Sequence, residues 1–240
     1  MQPAKIVPIQ KTMSPVTVGR AYGSIAHEWD RMYVDKRAAA ENRWLFNWLR
    51  RSGYLEGDVL EVACGTGLLL DCAKVDPSKY LGTDISEAMV NAAAMKHPQH
   101  VFRVMDMHDL KLPDECVDNV LCLFAGFSYV ADPMAVAHEL WRVLRPGGRF
   151  VVMPYAQRTK QTNAYEVIFK GEPLIRYFHT NNLLRSIFSE FHDVQIRGLS
   201  YRLDRLPQWL PQWCFNLMCS WEMALRRGED CYFNIVTGEK

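Results

Sequence analysis

The chain has 240 residues, 49% of them apolar, enough for one large domain or a domain with a small appendage. Its 28 basic and 27 acidic residues leave a formal charge of +1, which argues against a broad electrostatic surface for nucleic acid or acidic membranes. Seven cysteines without a C-x-x-C pair, and no visible secretory signal, point to reduced thiols in a cytoplasmic protein, and no apolar run approaches a membrane span.

Residues 1 to about 18 carry Pro3, Pro8 and Pro15 with little periodicity and read as a loosely packed arm. From Ala21 to Tyr33, the residues Ile25, Trp29, Met32 and Tyr33 recur at helical spacing and predict a helix packed on the core. A second helix is expected over Ala38–Arg51, with Trp44, Leu45, Trp48 and Leu49 as its apolar face and Gly53 ending it.

The stretch VLEVACGTGLLL, Val59–Leu70, reads as a buried strand, a glycine turn and the start of a helix that runs to about Ala73. Such a turn offers free backbone N–H groups and the positive end of a helix dipole at the strand's carboxyl edge. Glu61 stands inside this strand among apolar neighbours, where a carboxylate needs a partner. It either braces the turn or receives an ammonium group from a ligand. A dinucleotide fingerprint would need a third glycine where Leu70 stands.

Tyr80–Asp84 is the next strand. Asp84 at its end is placed to accept hydrogen bonds from ribose hydroxyls, and Ser86 is available to cap the following helix. Short strands follow at Val101–Met105 and Val117–Phe124. The loop Ala125–Tyr129 leaves the second of these at its carboxyl end, where open α/β sheets bind ligands. A helix over Pro133–Leu144 carries Met134, Ala137, Leu140, Trp141 and Leu144 at core spacing. Pro146, Gly147 and Gly148 then make a turn into a buried strand, Phe150–Met153. Further on, Thr180–Phe188 reads as a helix, and Val194–Leu199 and Cys231–Thr237 as strands. Between those strands Trp209, Trp213 and Trp221, with Leu217 and Met218, make an unusually aromatic stretch. It fits a lid over an apolar acceptor, a dimer contact, a membrane-surface helix or ordinary core packing.

Several of these segments together resemble one family. E-x-A-C-G-T-G at Glu61–Gly67 is similar to the first motif of class I S-adenosylmethionine (SAM)-dependent methyltransferases. Arg-Val-Leu-Arg-Pro-Gly-Gly at Arg142–Gly148 is typical of the small-molecule members. Tyr22, Ala26, Trp29 and Asp30 match the N-terminal segment that covers the cofactor in enzymes of the ubiquinone/menaquinone-biosynthesis type. The resemblance covers most of the chain from Tyr22 to Val152, is weak from Met153 to Gly228, and returns faintly at the last strand.

It implies a Rossmann-like α/β fold: a seven-stranded, mostly parallel sheet with helices on both faces and an antiparallel last strand. The domain would span residues 1–240, with lid helices over about 19–52 and an aromatic-rich insertion over about 201–228. SAM would be held by Tyr22, Glu61, Ala63, Gly65, Thr66, Gly67, Asp84, Ile85, Met89, Asp106, Met107 and Phe124. In that set Tyr22 is a lid residue near the cofactor carboxylate. Ile85 and Met89 flank the adenine, Asp106 binds its amino group, with Asp109 the lesser alternative, and the N–H of Met107 meets a ring nitrogen. Asp118 is structural.

The implied reaction is methyl transfer to a small molecule, aromatic or lipid-like, by in-line displacement. His179 and Tyr155 are the candidate bases or orienting groups. No metal-ligand cluster is apparent, nucleic acid is disfavoured as a partner, and a homodimer stays open. Two other readings stay open as well: a nicotinamide-dependent oxidoreductase and a SAM-binding protein without turnover.

Overall fold

The computed structural model describes residues 14–26, 28–30, 35–157, 163–169, 171–200, 207, 209–225 and 231–240. At its centre lies β1 (Val59–Val62), whose four residues are all buried. A continuous apolar run covered on both faces is what a central parallel strand requires. β2 (Tyr80–Asp84) and β4 (Val117–Cys122) pair with it in parallel, Leu60 standing opposite Leu81 on one side and Val120 on the other. β3 (Val101–Val104) continues beyond β2, and β5 (Leu144–Val152) beyond β4. β8 (His192–Leu199) and β9 (Phe233–Glu239) complete a seven-stranded sheet of order β3-β2-β1-β4-β5-β9-β8, with β9 antiparallel to both its neighbours. The expected sheet is therefore present.

Alternate residues of the central strands feed two cores. Leu60, Val62, Val120 and Phe150 pack with Leu140 and Val143 of α5 (Pro133–Val143) and Leu184 of α6 (Asn181–Ile187). Val59, Leu121 and Val151 face the other side. There they meet Leu45, Phe46 and Leu49 of α2 (Lys36–Arg51), Leu69 of α3 (Leu68–Cys72), and Cys219 and Met223 of α7 (Gln212–Leu225). The chain runs from β1 outward to β3 and then returns across β1 to β4. That reversal opens a crevice beyond the carboxyl ends of β1 and β4, where ligands bind in such sheets.

Two expectations change and one pair of strands is new. Pro15–Val18 is helix rather than arm, because Ser14 caps α1 (Pro15–Gly23) through the Val16 N–H and Pro15 suits a first turn. The expected helix over Ala21–Tyr33 breaks after Gly23 into a turn and a short 3₁₀ segment at Trp29–Asp30, with Ile25 and Ala26 packed on Met89 of α4 (Glu87–Lys96). Met32 and Tyr33 lie outside the described residues. A hairpin that the sequence reading did not contain, β6 (Ala164–Phe169) and β7 (Glu172–Tyr177), forms a separate two-stranded sheet, with Gly171 at φ +90° in its turn. No described helix is long and apolar enough to cross a membrane.

Candidate active site

The carboxyl ends of β1, β2 and β4 and the loop after β3 converge on a cleft. At its floor lies Glu61, which accepts a hydrogen bond from the Tyr80 hydroxyl at 2.5 Å. Burial pushes the Glu61 carboxyl up to about 8; the Tyr80 bond opposes this, and the nearby Asp84 adds to it. The strand-embedded carboxyl is thus both braced and open to the cleft. Asp84 accepts the backbone N–H of Gly65 on one oxygen and that of Ser86 on the other, each at 2.9 Å. Burial raises its carboxyl and the backbone bonds oppose the rise. Ser86 meanwhile caps α4 through the Met89 N–H, so capping does not use up Asp84.

The two glycines of the turn do different things. Gly65, at φ +55°, lines the cleft, and a side chain there would meet only the Trp29 indole nitrogen at 3.7 Å. Gly67, at φ +80°, does not line it. A side chain on Gly67 would come within 2.9 Å of the His97 ring, so this glycine makes room for a packed histidine. Thr66 is also turned away from the cleft: its hydroxyl donates to Asp30 at 2.6 Å, and Lys96 holds the same carboxylate at 2.8 Å. The pair ties the 3₁₀ segment bearing Trp29 to the glycine turn. Ala63, Phe124 and Ala125 all have positive φ (53°, 51° and 64°), and Ala63 and Phe124 line the cleft. Left-handed backbone at non-glycine residues costs energy and clusters at binding sites.

Ile85, Met89 and Met107 form further walls of this cleft, together with Asp106 and His108. Asp106 takes both the ring Nδ1 at 2.7 Å and the backbone N–H at 2.9 Å of His108. The His108 bond lowers the Asp106 carboxyl, and the same contact raises the imidazole. Asp109 is exposed, ion-pairs with Lys111 and does not line the cleft. Asp118, as expected, is structural: it accepts the Asp58 N–H at 2.7 Å and pairs with Arg145 at 2.8 Å.

A second cleft lies beyond a wall shared with the first. Tyr22, Trp29, Phe124 and Tyr129 line both. Tyr22 is the hub of that wall, its ring 5.2 Å from Trp29, 5.4 Å from Tyr129 and 5.3 Å from Phe169. The second cleft is otherwise lined by Tyr155, Phe169 and Phe233, Arg176 of β7, Asp35, and the α2 residues Arg37, Ala38, Glu41 and Asn42. Glu41 receives the Ser200 hydroxyl at 2.6 Å, while the Ser200 N–H donates to Glu222 of α7 at 3.0 Å. Burial pushes the Glu41 carboxyl up to about 7, with the Ser200 bond opposing and Glu222 assisting.

The two candidate bases separate. Tyr155 reaches the second cleft, where burial pushes its hydroxyl up from its ordinary value. His179 lines neither cleft. It is buried against Phe127 and desolvation pushes its imidazole down to about 4. The described part of the Trp-rich segment lines neither cleft: Trp209, Trp213, Leu217, Trp221 and Leu225 are exposed, and α7 buries Phe215, Cys219 and Met223 instead. The sequence reading assigned no role to His108, Glu41, Phe169 or Arg176, and placed Tyr129 only within the ligand-side loop Ala125–Tyr129. Glu41 had a signal, since it precedes Trp44, Leu45 and Trp48 at helical spacing and so shares their buried face.

Residues 60–152 match the methyltransferase domain family. The chain is 33% identical over 146 residues to the demethylmenaquinone methyltransferase of Symbiobacterium thermophilum, covering 57% of this chain and 58% of that one. It is 30% identical to the ubiquinone/menaquinone biosynthesis C-methyltransferase UbiE of Hahella chejuensis over 184 residues, 71% of this chain and 73% of the relative. Among solved structures, a SAM-dependent methyltransferase of Thermotoga maritima superposes with a TM-score of 0.66 at 18% identity, over 92% of this chain and 99% of that one.

Proposed function

The chain belongs to the SAM-dependent methyltransferase family, and from that premise we propose that its two clefts are a donor site and an acceptor site for methyl transfer to an aromatic or lipid-like small molecule. The observation that carries this reading is the shared wall of Tyr22, Trp29, Phe124 and Tyr129, which puts the second cleft directly beside the first. The relatives are named for demethylmenaquinone and for ubiquinone/menaquinone biosynthesis, and a cleft walled by aromatic rings supports an acceptor with a flat ring of that kind.

The donor cleft suits SAM on its own residues. Gly65 presents no side chain where a ligand must approach the backbone, and each carboxylate oxygen of Asp84 keeps a lone pair for a ribose hydroxyl after accepting one N–H. Asp106, Met107, Ile85, Met89 and Glu61 all line this cleft, which supports Asp106 and Met107 as partners of the adenine edge, Ile85 and Met89 of its faces, and Glu61 of an ammonium group. Ala63, Phe124 and Tyr22 form the remaining walls, and Thr66 and Gly67 hold the turn in shape. Bound SAM supplies an activated methyl group on a sulfonium. The protein's part is to align the acceptor for in-line attack and exclude water, which the aromatic wall serves. Where the acceptor must lose a proton, Glu41 is the acceptor-cleft group fitted to take it, because its carboxyl changes charge near neutrality.

Calorimetric titration with SAM, S-adenosylhomocysteine and NAD tests the donor site. Micromolar binding of the first two without NAD is expected; NAD binding alone would return the nicotinamide reading. Isotopically labelled SAM offered with quinols and phenols then tests turnover. Binding without transfer to any of them would favour a SAM-binding protein without turnover.

A further inference from the structure

Most arginines with described contacts are matched to carboxylates or backbone carbonyls. Arg142 meets Glu139 and Asp114, Arg145 meets Asp58 and Asp118, and Arg149 donates to the carbonyls of Ser52 and Gly53. Arg176 differs. It projects from β7 into the acceptor cleft, where its Nε donates to the Tyr129 hydroxyl at 3.0 Å and its Nη1 to the Tyr165 hydroxyl at 3.3 Å. Its guanidinium lies 4.7 Å over the Tyr155 ring and 5.8 Å from the rings of Tyr129 and Tyr165. Among the described residues no carboxylate pairs with it. The two carboxyl residues of the same cleft are engaged elsewhere, Asp35 with Arg37 at 3.2 Å and Glu41 with Ser200.

A cation drawn out of water costs free energy, and neutral hydroxyls and ring faces offset only part of that cost. The tyrosines fix the guanidinium in plane at two of its nitrogens and leave Nη2 without a described partner. A planar guanidinium held in this way is a receptor for a planar oxyanion. We propose that Arg176 binds an ionised oxygen group on the acceptor, so that the substrate is an aromatic molecule carrying a carboxylate or phenolate. The tyrosine rings stack on its flat body and Arg176 sets its orientation relative to the donor cleft. This inference rests on reading the second cleft as the acceptor site.

The test uses the full chain saturated with S-adenosylhomocysteine and two matched probe pairs followed by calorimetry. 2-Naphthoate against 2-naphthamide reports on carboxylate, and 4-nitrophenolate against 4-nitroanisole on phenolate. In at least one pair the anion is expected to bind about tenfold or more tightly than its neutral partner, and the pair that does so identifies the group. Arg176→Gln should abolish the preference and leave S-adenosylhomocysteine affinity within about twofold, since Arg176 does not line the donor cleft. Arg176→Lys, which keeps a cation among the tyrosines, should retain part of it; this variant serves if the glutamine variant does not fold. Equal binding within both pairs, an anion preference that survives Arg176→Gln, or no anion binding at millimolar concentration would each overturn the assignment. Loss of S-adenosylhomocysteine binding by the unmodified chain would instead overturn the donor-site reading.

Discussion

The Oδ2 of Asp84 accepts the N–H of Gly65 at 2.9 Å, so the carboxylate read as a ribose ligand also fastens the end of β2 to the glycine turn after β1. Its other oxygen holds the N–H of Ser86 at the start of α4. Substitution therefore has a binding and a folding consequence. Asp84→Ala orphans two N–H groups and should cost about 1–3 kcal/mol of stability. It should also weaken S-adenosylhomocysteine binding by more than about tenfold, as loss of a charged hydrogen-bond acceptor does. Asp84→Asn keeps one acceptor and should recover stability more than affinity. Thermal melts beside calorimetry separate the two effects, and unchanged affinity in a folded Asp84→Ala protein removes the ribose contact.

Gly65 and Gly67 look alike in the sequence and should respond differently to the same change. Gly65→Ala adds a methyl group where the nearest heavy atom is the Trp29 indole nitrogen at 3.7 Å, so the added group occupies ligand space. The backbone penalty is about 1–2 kcal/mol, and the expected outcome is a folded protein with impaired S-adenosylhomocysteine binding. Gly67→Ala carries the same penalty and also drives against the His97 ring, which must move from 2.9 Å. It should lose more stability and less affinity. Equal effects of the two on binding would contradict the division of labour.

The sheet and the ends of its strands were legible because each central strand is a short apolar run closed by a polar or glycine residue. Val62 leads through Ala63 and Cys64 to Gly65, Thr83 to Asp84, and Met105 to Asp106. The direction of Thr66 was not legible because the identity of a turn residue does not say which way it points; its hydroxyl turns to Asp30, from a segment far away in the chain. Arg176 was invisible because the β6–β7 hairpin, with Pro173 inside a strand, gives no clean alternation. The tryptophans left several readings open because aromatic content does not say which face of a helix is covered. On α7 the apolar residues at 213, 217, 221 and 225 follow one another four apart on the outer face, while Phe215, Cys219, Glu222 and Met223 turn inward.

If Glu61 holds the cofactor's ammonium group, as proposed, cofactor binding should be proton-linked. With no cation beside it the carboxyl is raised to about 8, so it is protonated at neutral pH. An ammonium group seated against it favours the ionised form, and the proton must leave. Titrations near pH 7 in buffers of different ionisation enthalpy should therefore report release of close to one proton per S-adenosylhomocysteine bound. Affinity should rise as the pH is raised toward 8. Tyr80→Phe removes the hydrogen bond that favours the charged form, which should move the affinity rise to higher pH. Buffer-independent binding heats would mean that Glu61 only braces the turn.

His179 should matter for acid stability and not for the reaction. Its imidazole titrates at about 4 in the fold against an ordinary value of 6.5, because burial disfavours the cation. The unfolded chain therefore binds the proton first. The stability is intact above about pH 6.5, falls as the pH drops toward 4 and levels off below, with a total loss on the order of 3 kcal/mol from this group. His179→Leu should flatten that segment of the stability curve, measured by urea unfolding at a series of pH values. It should leave S-adenosylhomocysteine affinity unchanged, since His179 lines neither cleft.

Glu41 offers the complementary test in the acceptor cleft. Its carboxyl is raised to about 7 by burial, with Ser200 bonded to it and Glu222 close behind. A base must be ionised to accept a proton, so transfer to an acceptor that loses a proton should rise with pH through about 7. Glu41→Gln keeps the shape and the hydrogen bond from Ser200 but cannot take the proton. It should lose that rising limb and about 10²-fold or more in rate, with donor binding intact. The same substitution should improve stability on the alkaline side. The folded carboxyl holds its proton up to about 7 where the unfolded one releases it near 4.5, so the unmodified protein loses stability as the pH climbs between those values. The two readouts move in opposite directions. A variant that gained stability at pH 8 while keeping the pH–rate profile would show a buried carboxyl with no part in proton transfer.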